Sequence, residues 1–189
     1  MKLFFDTETT GLPEYKKKHD LSVQPHVIQL AALLTDDSGN TKGEFNTLIK
    51  PAGWTVPAEA QAVHGISQED CERYGIEIRS ALGMFNLWLK LLPEAVAHNF
   101  DFDEMLIGFE VKRLGKDSIF TAVRKFCTMK ASTDLVKIPS PRGYKWPKLQ
   151  ETYKFFFGKE FDNSHDAMAD CKACCECYFK LQEYGLVSK

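Results

Sequence analysis

The sequence predicts an α/β fold: a mixed β-sheet, antiparallel in its N-terminal meander and parallel further on, flanked by helices. Two observations carry this. Strand signals come first, up to Lys50, and beyond them short strand-like runs alternate with helical patterns.

The elements follow in order. Lys2 to Asp6 reads as the first strand, an apolar run that ends on a carboxylate. "HVIQLAALLTDD", His26 to Asp37, is a second and nearly all-apolar strand, bounded by Pro25 and by the turn residues Asp36 to Asn40. "KGEFNTLIK", Lys42 to Lys50, closes a hairpin with it and is stopped by Pro51. "PAEAQAVHGIS" opens with a proline suited to a first helical turn and ends at Gly65. Ser80 to Leu92 carries Leu82, Phe85, Leu89 and Leu92 at helical spacings. "EAVAH" is a strand leading into a helix from Phe102 to Leu114, and "RKFCTMKAS" is a further short strand candidate. Pro139 to Pro147 holds three prolines and a glycine, so it reads as a loop. Two helices follow, Lys148 to Phe157 and Ser164 to Glu183.

With 189 residues and no repeat or linker, one domain over 1–189 is expected. A chain that is 44% apolar and 26% charged is of the soluble globular class, and no stretch approaches the ~18 apolar residues of a membrane span. Asp6 and Glu8 interrupt the N-terminal apolar run too early for a secretory segment, which points to a cytoplasmic protein with no membrane partner. A net charge of −2 excludes a protein that coats nucleic acid through bulk electrostatics, but not an enzyme that grips a few phosphates through metal ions. Basic residues do gather at Lys16 to Lys18, at Arg124 and Lys125, and in "KIPSPRGYKWPK". Cys171, Cys174, Cys175 and Cys177 lie in one helical run with no second Cys/His cluster, so they read as reduced packing residues rather than zinc ligands.

The chemistry starts at "DTETTG". Side chains alternate along a strand, so Asp6 and Glu8 project on one face, and like charges held that close favour a cation between them. Oxygen ligands suit Mg²⁺ or Mn²⁺. "HNFDFDEML" and "HDAMAD" offer further acids just beyond a strand or on a helix, the latter with His165 close by as a candidate base.

"DTETTG" at Asp6 to Gly11, "HNFDFD" at His98 to Asp103 and "HDAMAD" at His165 to Asp170 resemble the three motifs of the DEDDh 3′-to-5′ exonucleases. This is the superfamily of ribonuclease T and of the proofreading subunit of bacterial DNA polymerase III. "AVHGIS", Ala62 to Ser67, resembles the segment between the first two motifs, and the similarity runs from Leu3 to Leu181. The resemblance implies a ribonuclease H-like sheet and a site of two Mg²⁺ ions, replaceable by Mn²⁺. Asp6, Glu8, Asp103 and Asp170 would be the metal-binding acids and His165 the general base. Asp103, not Asp101, fits the motif's spacing, while Asp101 with Glu104 reads as a capping box. Thr9, Leu12, His64 and Phe102 would hold the terminal nucleotide.

The implied activity is metal-dependent hydrolysis from the 3′ end of single-stranded nucleic acid, DNA ahead of RNA, releasing nucleoside 5′-monophosphates. The loop residues Arg142, Tyr144, Lys145 and Trp146 mix cations with stacking surfaces suited to upstream single strand. The competing readings are a non-catalytic polymerase- or ribonucleoprotein-associated module and a ribonuclease H-type nuclease that cuts internally. The short run Leu186 to Lys189 after the last motif's helix favours a stand-alone enzyme over one tethered to a polymerase, and no isolated apolar helix face sets an oligomeric state.

Overall fold

The computed structural model describes residues 1–92 and 94–187; the far end of the expected 1–189 domain, Ser188 and Lys189, lies outside the described residues, as does Pro93. Its centre is a five-stranded sheet of order β3-β2-β1-β4-β5. Strands β1 (Lys2–Thr9), β2 (Val27–Thr35) and β3 (Thr41–Leu48) form the antiparallel meander. Strands β4 (Glu94–Ala97) and β5 (Arg124–Cys127) then add in parallel to β1. The helices are α1 (Ala58–His64), α2 (Gln68–Tyr74), α3 (Ile78–Leu91), α4 (Phe100–Arg113), α5 (Thr128–Val136), α6 (Leu149–Phe157) and α7 (Ala167–Glu183). Among the described residues no helix is long and apolar enough to cross a membrane.

The alternation of β1 sorts its side chains between two cores. Leu3 and Phe5 enter the core beneath α3 and α4, whereas Phe4 enters the core beneath α7. In the first, Phe5, Phe85, Phe100 and Phe120 meet with ring centroids 5.2 to 5.9 Å apart, near edge-on or tilted. In the second, Tyr178 sets its edge against Phe4 and Phe126 and donates its hydroxyl to Glu94 at 2.7 Å. Glu94 is buried but not alone, since Lys2 and Arg124 both reach it. Cys171, Cys174, Cys175 and Cys177 are buried on α7, where they act as small apolar side chains with thiol pKa values raised by burial.

Several local expectations need correction. Strand β1 runs on through Thr9, because its partner β2 continues the ladder to Val27. "RKFCTMKAS" is not one strand: pairing with β4 ends at Cys127, and Thr128 starts α5. The segment Gln68–Tyr74 is a helix, capped by a reciprocal Ser67–Asp70 box. The capping box expected from Asp101 and Glu104 does not form. Helix α4 starts earlier, at Phe100, behind Asn99 in the left-handed region, and Asp101 and Glu104 pair with Lys130 and Lys125 instead. Helix α7 starts at Ala167 and not Ser164, because Asp166 caps it by accepting from Ala169 N. The proline-rich loop contains a two-rung hairpin, β6 (Pro139–Ser140) with β7 (Gly143–Tyr144).

Phe85 ties α3 to the sheet and is 1% exposed. Replacing it, Phe85→Ala, is expected to cost about 3–5 kcal/mol, read as a lower midpoint in urea unfolding. A loss below about 1 kcal/mol would mean that this aromatic cluster is not the packing centre it forms in the structure.

Candidate active site

In an open sheet with parallel strands, the crevice lies at the carboxyl ends of the strands where the direction of connection changes. Here that point lies between β1 and β4. A cavity of about 540 Å³ opens there, lined by Asp6 to Thr9 of β1 and Thr10 to Leu12 just after it, by His98 and Asn99 after β4, by His165 before α7, and by residues of α1, α4 and α7. The nine residues expected as metal ligands, base or terminal-nucleotide contacts all line this one cavity: Asp6, Glu8, Asp103, Asp170, His165, Thr9, Leu12, His64 and Phe102; the loop residues Arg142, Tyr144, Lys145 and Trp146 do not. Nor does Asp101, which is exposed at the side, against Lys130.

The acids converge because β1 divides the two helix layers. Asp6 and Glu8 lie on the face of β1 covered by α7, which supplies Asp170. Thr7 points the other way and meets Asp103 of α4, donating to Asp103 Oδ1 from its amide at 3.1 Å and its hydroxyl at 2.8 Å. Glu8, His165 and Asp170 bring ligand atoms within 4.8 Å of one another. The His165 amide donates to Asp170 Oδ2 at 3.2 Å, and His165 itself takes a left-handed conformation (φ 71°) that turns the chain into α7.

Two residues to which the sequence patterns give no role, Gln29 and the motif residue His98, hold this arrangement. Gln29 of β2, 4% exposed, donates to Asp166 Oδ2 and accepts from Ala167 N, so the start of α7 is tied to the strand beside Glu8. The signal available in the sequence is a lone amide in the apolar run "HVIQLAALL". His98 bridges outward: its Nε2 donates to the Pro147 carbonyl at 3.0 Å, which leaves Nδ1 to accept from the Thr128 hydroxyl at 2.9 Å. Burial holds its pKa down, near 4, so the ring is neutral.

The electrostatics identify what the cavity suits. Burial first, and then the charges of Asp103, Asp170, Glu8 and Asp166, push Asp6 well above the ordinary carboxylate range. Burial and neighbouring acids raise Glu8 to about 8. Asp103 reaches about 7 by burial although both Thr7 bonds oppose it, and Asp170 reaches about 6 by burial against the His165 amide. Among the described residues no lysine or arginine lines the cavity to offset this charge. Clustered carboxylate oxygens without a cationic side chain are the donor set that hard divalent ions take. The residues present therefore fit such ions.

On the α1 side, His64 Nδ1 accepts from the Ile66 amide at 3.0 Å, so its Nε2 carries the proton, and that Nε2 is buried with no partner. A buried donor without an acceptor beside a cavity is suited to an incoming oxygen. Leu12 is 82% exposed and Phe102 is half-buried, giving the cavity apolar walls.

The family model described as Exonuclease (RNase_T) matches residues 3–178. An uncharacterised exonuclease, CP81, of Escherichia phage 186 is 29% identical over 177 residues, covering 90% of this chain and 82% of that protein. Among solved structures, the zinc-bound form of the E. coli exonuclease I complex with single-stranded DNA aligns with a TM-score of 0.74 at 22% identity over 97% of this chain. This chain spans only 42% of that enzyme. Exonuclease X in complex with 5′-overhanging duplex DNA aligns with a TM-score of 0.69 at 18% identity, covering all of this chain and 95% of that one. The fold is thus the ribonuclease H-like exonuclease fold.

Crowded acids have a thermodynamic consequence. Their folded-state pKa values lie above the unfolded ones, so without metal the native state holds more protons, and the site's contribution to stability falls as pH rises from about 4 to about 8. In chelator at pH 8, Asp103→Asn is expected to stabilise the protein by roughly 1–2 kcal/mol, or about 3–6 °C in Tm. The gain should shrink at pH 5. A variant less stable than the parent at pH 8 would contradict the repulsion.

Proposed function

The chain belongs to the RNase_T exonuclease family, and on that premise we propose that it is a metal-dependent 3′-to-5′ exonuclease acting on single-stranded ends, DNA ahead of RNA. The observation that carries this reading is the meeting of Asp6, Glu8, Asp103 and Asp170 with the His165 imidazole in one cavity, although they are far apart in the chain.

In this reading those four acids would hold two Mg²⁺ ions, for which Mn²⁺ could substitute, and the bound metal would supply charge stabilisation for displacement at phosphorus. His165, exposed at the cavity mouth and beside Glu8 and Asp170, takes the proton of the attacking water. Each turnover releases a nucleoside 5′-monophosphate. Thr7 keeps Asp103 oriented through its two hydrogen bonds, and Gln29 keeps α7, and with it Asp170, in register with β1. The free His64 Nε2–H donates to an oxygen of the terminal nucleotide, while Leu12 and Phe102 flank its base and Thr9 lines the same cavity. Such contacts seat an end without reading its sequence. The single-stranded DNA in the exonuclease I complex supports the choice of polymer.

The test is a 5′-labelled single strand incubated with Mg²⁺ or Mn²⁺ and, in parallel, with chelator. The expected result is a ladder shortening from the 3′ end together with mononucleotide product, abolished by chelator. Internal fragments would indicate a ribonuclease H-type cut, and an unchanged strand a binding module. Asp6→Asn and Asp170→Asn should lose at least about 10³-fold in kcat and lose cation binding by calorimetry. His165→Ala should lose about 10²–10⁴-fold in kcat while cation binding persists.

A further inference from the structure

The cavity accounts for the end of a strand but not for the most conspicuous surface beside it. Residues 137–148 carry Lys137, Arg142, Lys145 and Lys148 and no acid, in a chain whose net charge is −2. The β6–β7 hairpin orders this segment: Pro139 pairs with Tyr144, Ser140 with Gly143, and the Lys145 amide extends the ladder to the Ile138 carbonyl. Lys145 turns its side chain to Glu151 of α6, at 2.6 Å. Its two sequence neighbours face solvent, Tyr144 at 46% and Trp146 at 62% exposure. Arg142 at the hairpin turn and Lys148 at its base have no ion pair among the described residues. The hairpin is also fixed to the cavity, since the Pro147 carbonyl next to Trp146 accepts from His98, and His98 lines the cavity.

We propose that the β6–β7 hairpin binds the single strand upstream of the scissile bond, with bases stacked on Tyr144 and Trp146 and phosphates held by Arg142 and Lys148. Exposed rings interleaved with unpaired cations suit a flexible polyanion with aromatic bases. They offer no fixed donor pattern, so the grip is indifferent to sequence. It is also distinct from the terminal pocket: the pocket seats the nucleotide that leaves, and the hairpin retains the strand that stays. The inference rests on the exonuclease reading for the direction of the strand.

The test compares two substrates with the 189-residue chain: a thymidine dodecamer, which spans pocket and hairpin, and the p-nitrophenyl ester of thymidine 5′-monophosphate, which reaches only the pocket. Trp146→Ala and Tyr144→Ala should each raise KM for the dodecamer roughly tenfold and leave kcat/KM for the ester unchanged. Arg142→Ala should make the plot of log affinity for a fluorescein-labelled dodecamer against log salt shallower by roughly 0.7. Equal KM values for parent and variants on the dodecamer would overturn the proposal. So would parallel losses on both substrates, which would mean that the hairpin acts by shaping the cavity through His98. If the parent binds the labelled dodecamer in a Trp146-dependent way yet hydrolyses neither substrate, the catalytic reading fails and the strand-binding surface stands.

Discussion

The structure is organised around a repulsion. Asp6, Glu8, Asp103 and Asp170 are drawn from a strand and two helices on opposite faces of the sheet into a cavity that, among the described residues, no lysine or arginine lines. Left alone, these groups keep protons they would release in water, and burial is the larger cause, with mutual charge adding to it. A fold tolerates such an arrangement only if the rest of the domain is well packed. The two cores on either side of β1, one centred on Phe5 and its aromatic neighbours and the other on Tyr178, supply that packing within two residues of the charges.

Strand β1 therefore has three tasks along eight residues. Its first half, Leu3 to Phe5, is core on both faces; Asp6 and Glu8 turn charge toward α7; and Thr7 between them fastens Asp103 from the other side. The parallel pairing of β1 with β4 then delivers Asn99 and the start of α4 to the same edge. Topology, more than any single contact, makes the acids meet.

Much of this was legible in sequence, for physical reasons. The two-residue period of a strand puts Asp6 and Glu8 together, and the five-residue step from His165 to Asp170 spans one turn into a helix, so spacing alone carries geometry. Gln29 was not legible, because a polar residue in an apolar strand could as well face solvent, and only the tertiary fold brings the start of α7 to its amide. Helix α2 has a capping signal at Ser67 and Asp70 but buries only Cys71, so it lacks the apolar period by which helices are recognised. Asp101 misled in the opposite sense: its spacing to Glu104 imitates a cap, yet the chain enters α4 through the left-handed Asn99.

His98 shows what a partly buried imidazole becomes when its proton is fixed by its neighbours. Its pKa near 4 lies well below the interval of about 6 to about 8 in which Asp170, Asp103 and Glu8 exchange protons. Across that whole interval the ring stays neutral, so the bonds to Thr128 and Pro147 require no exchange of its proton. The ring thus behaves as a rivet and not a latch: the floor of the cavity can gain or lose charge while the rim keeps its shape.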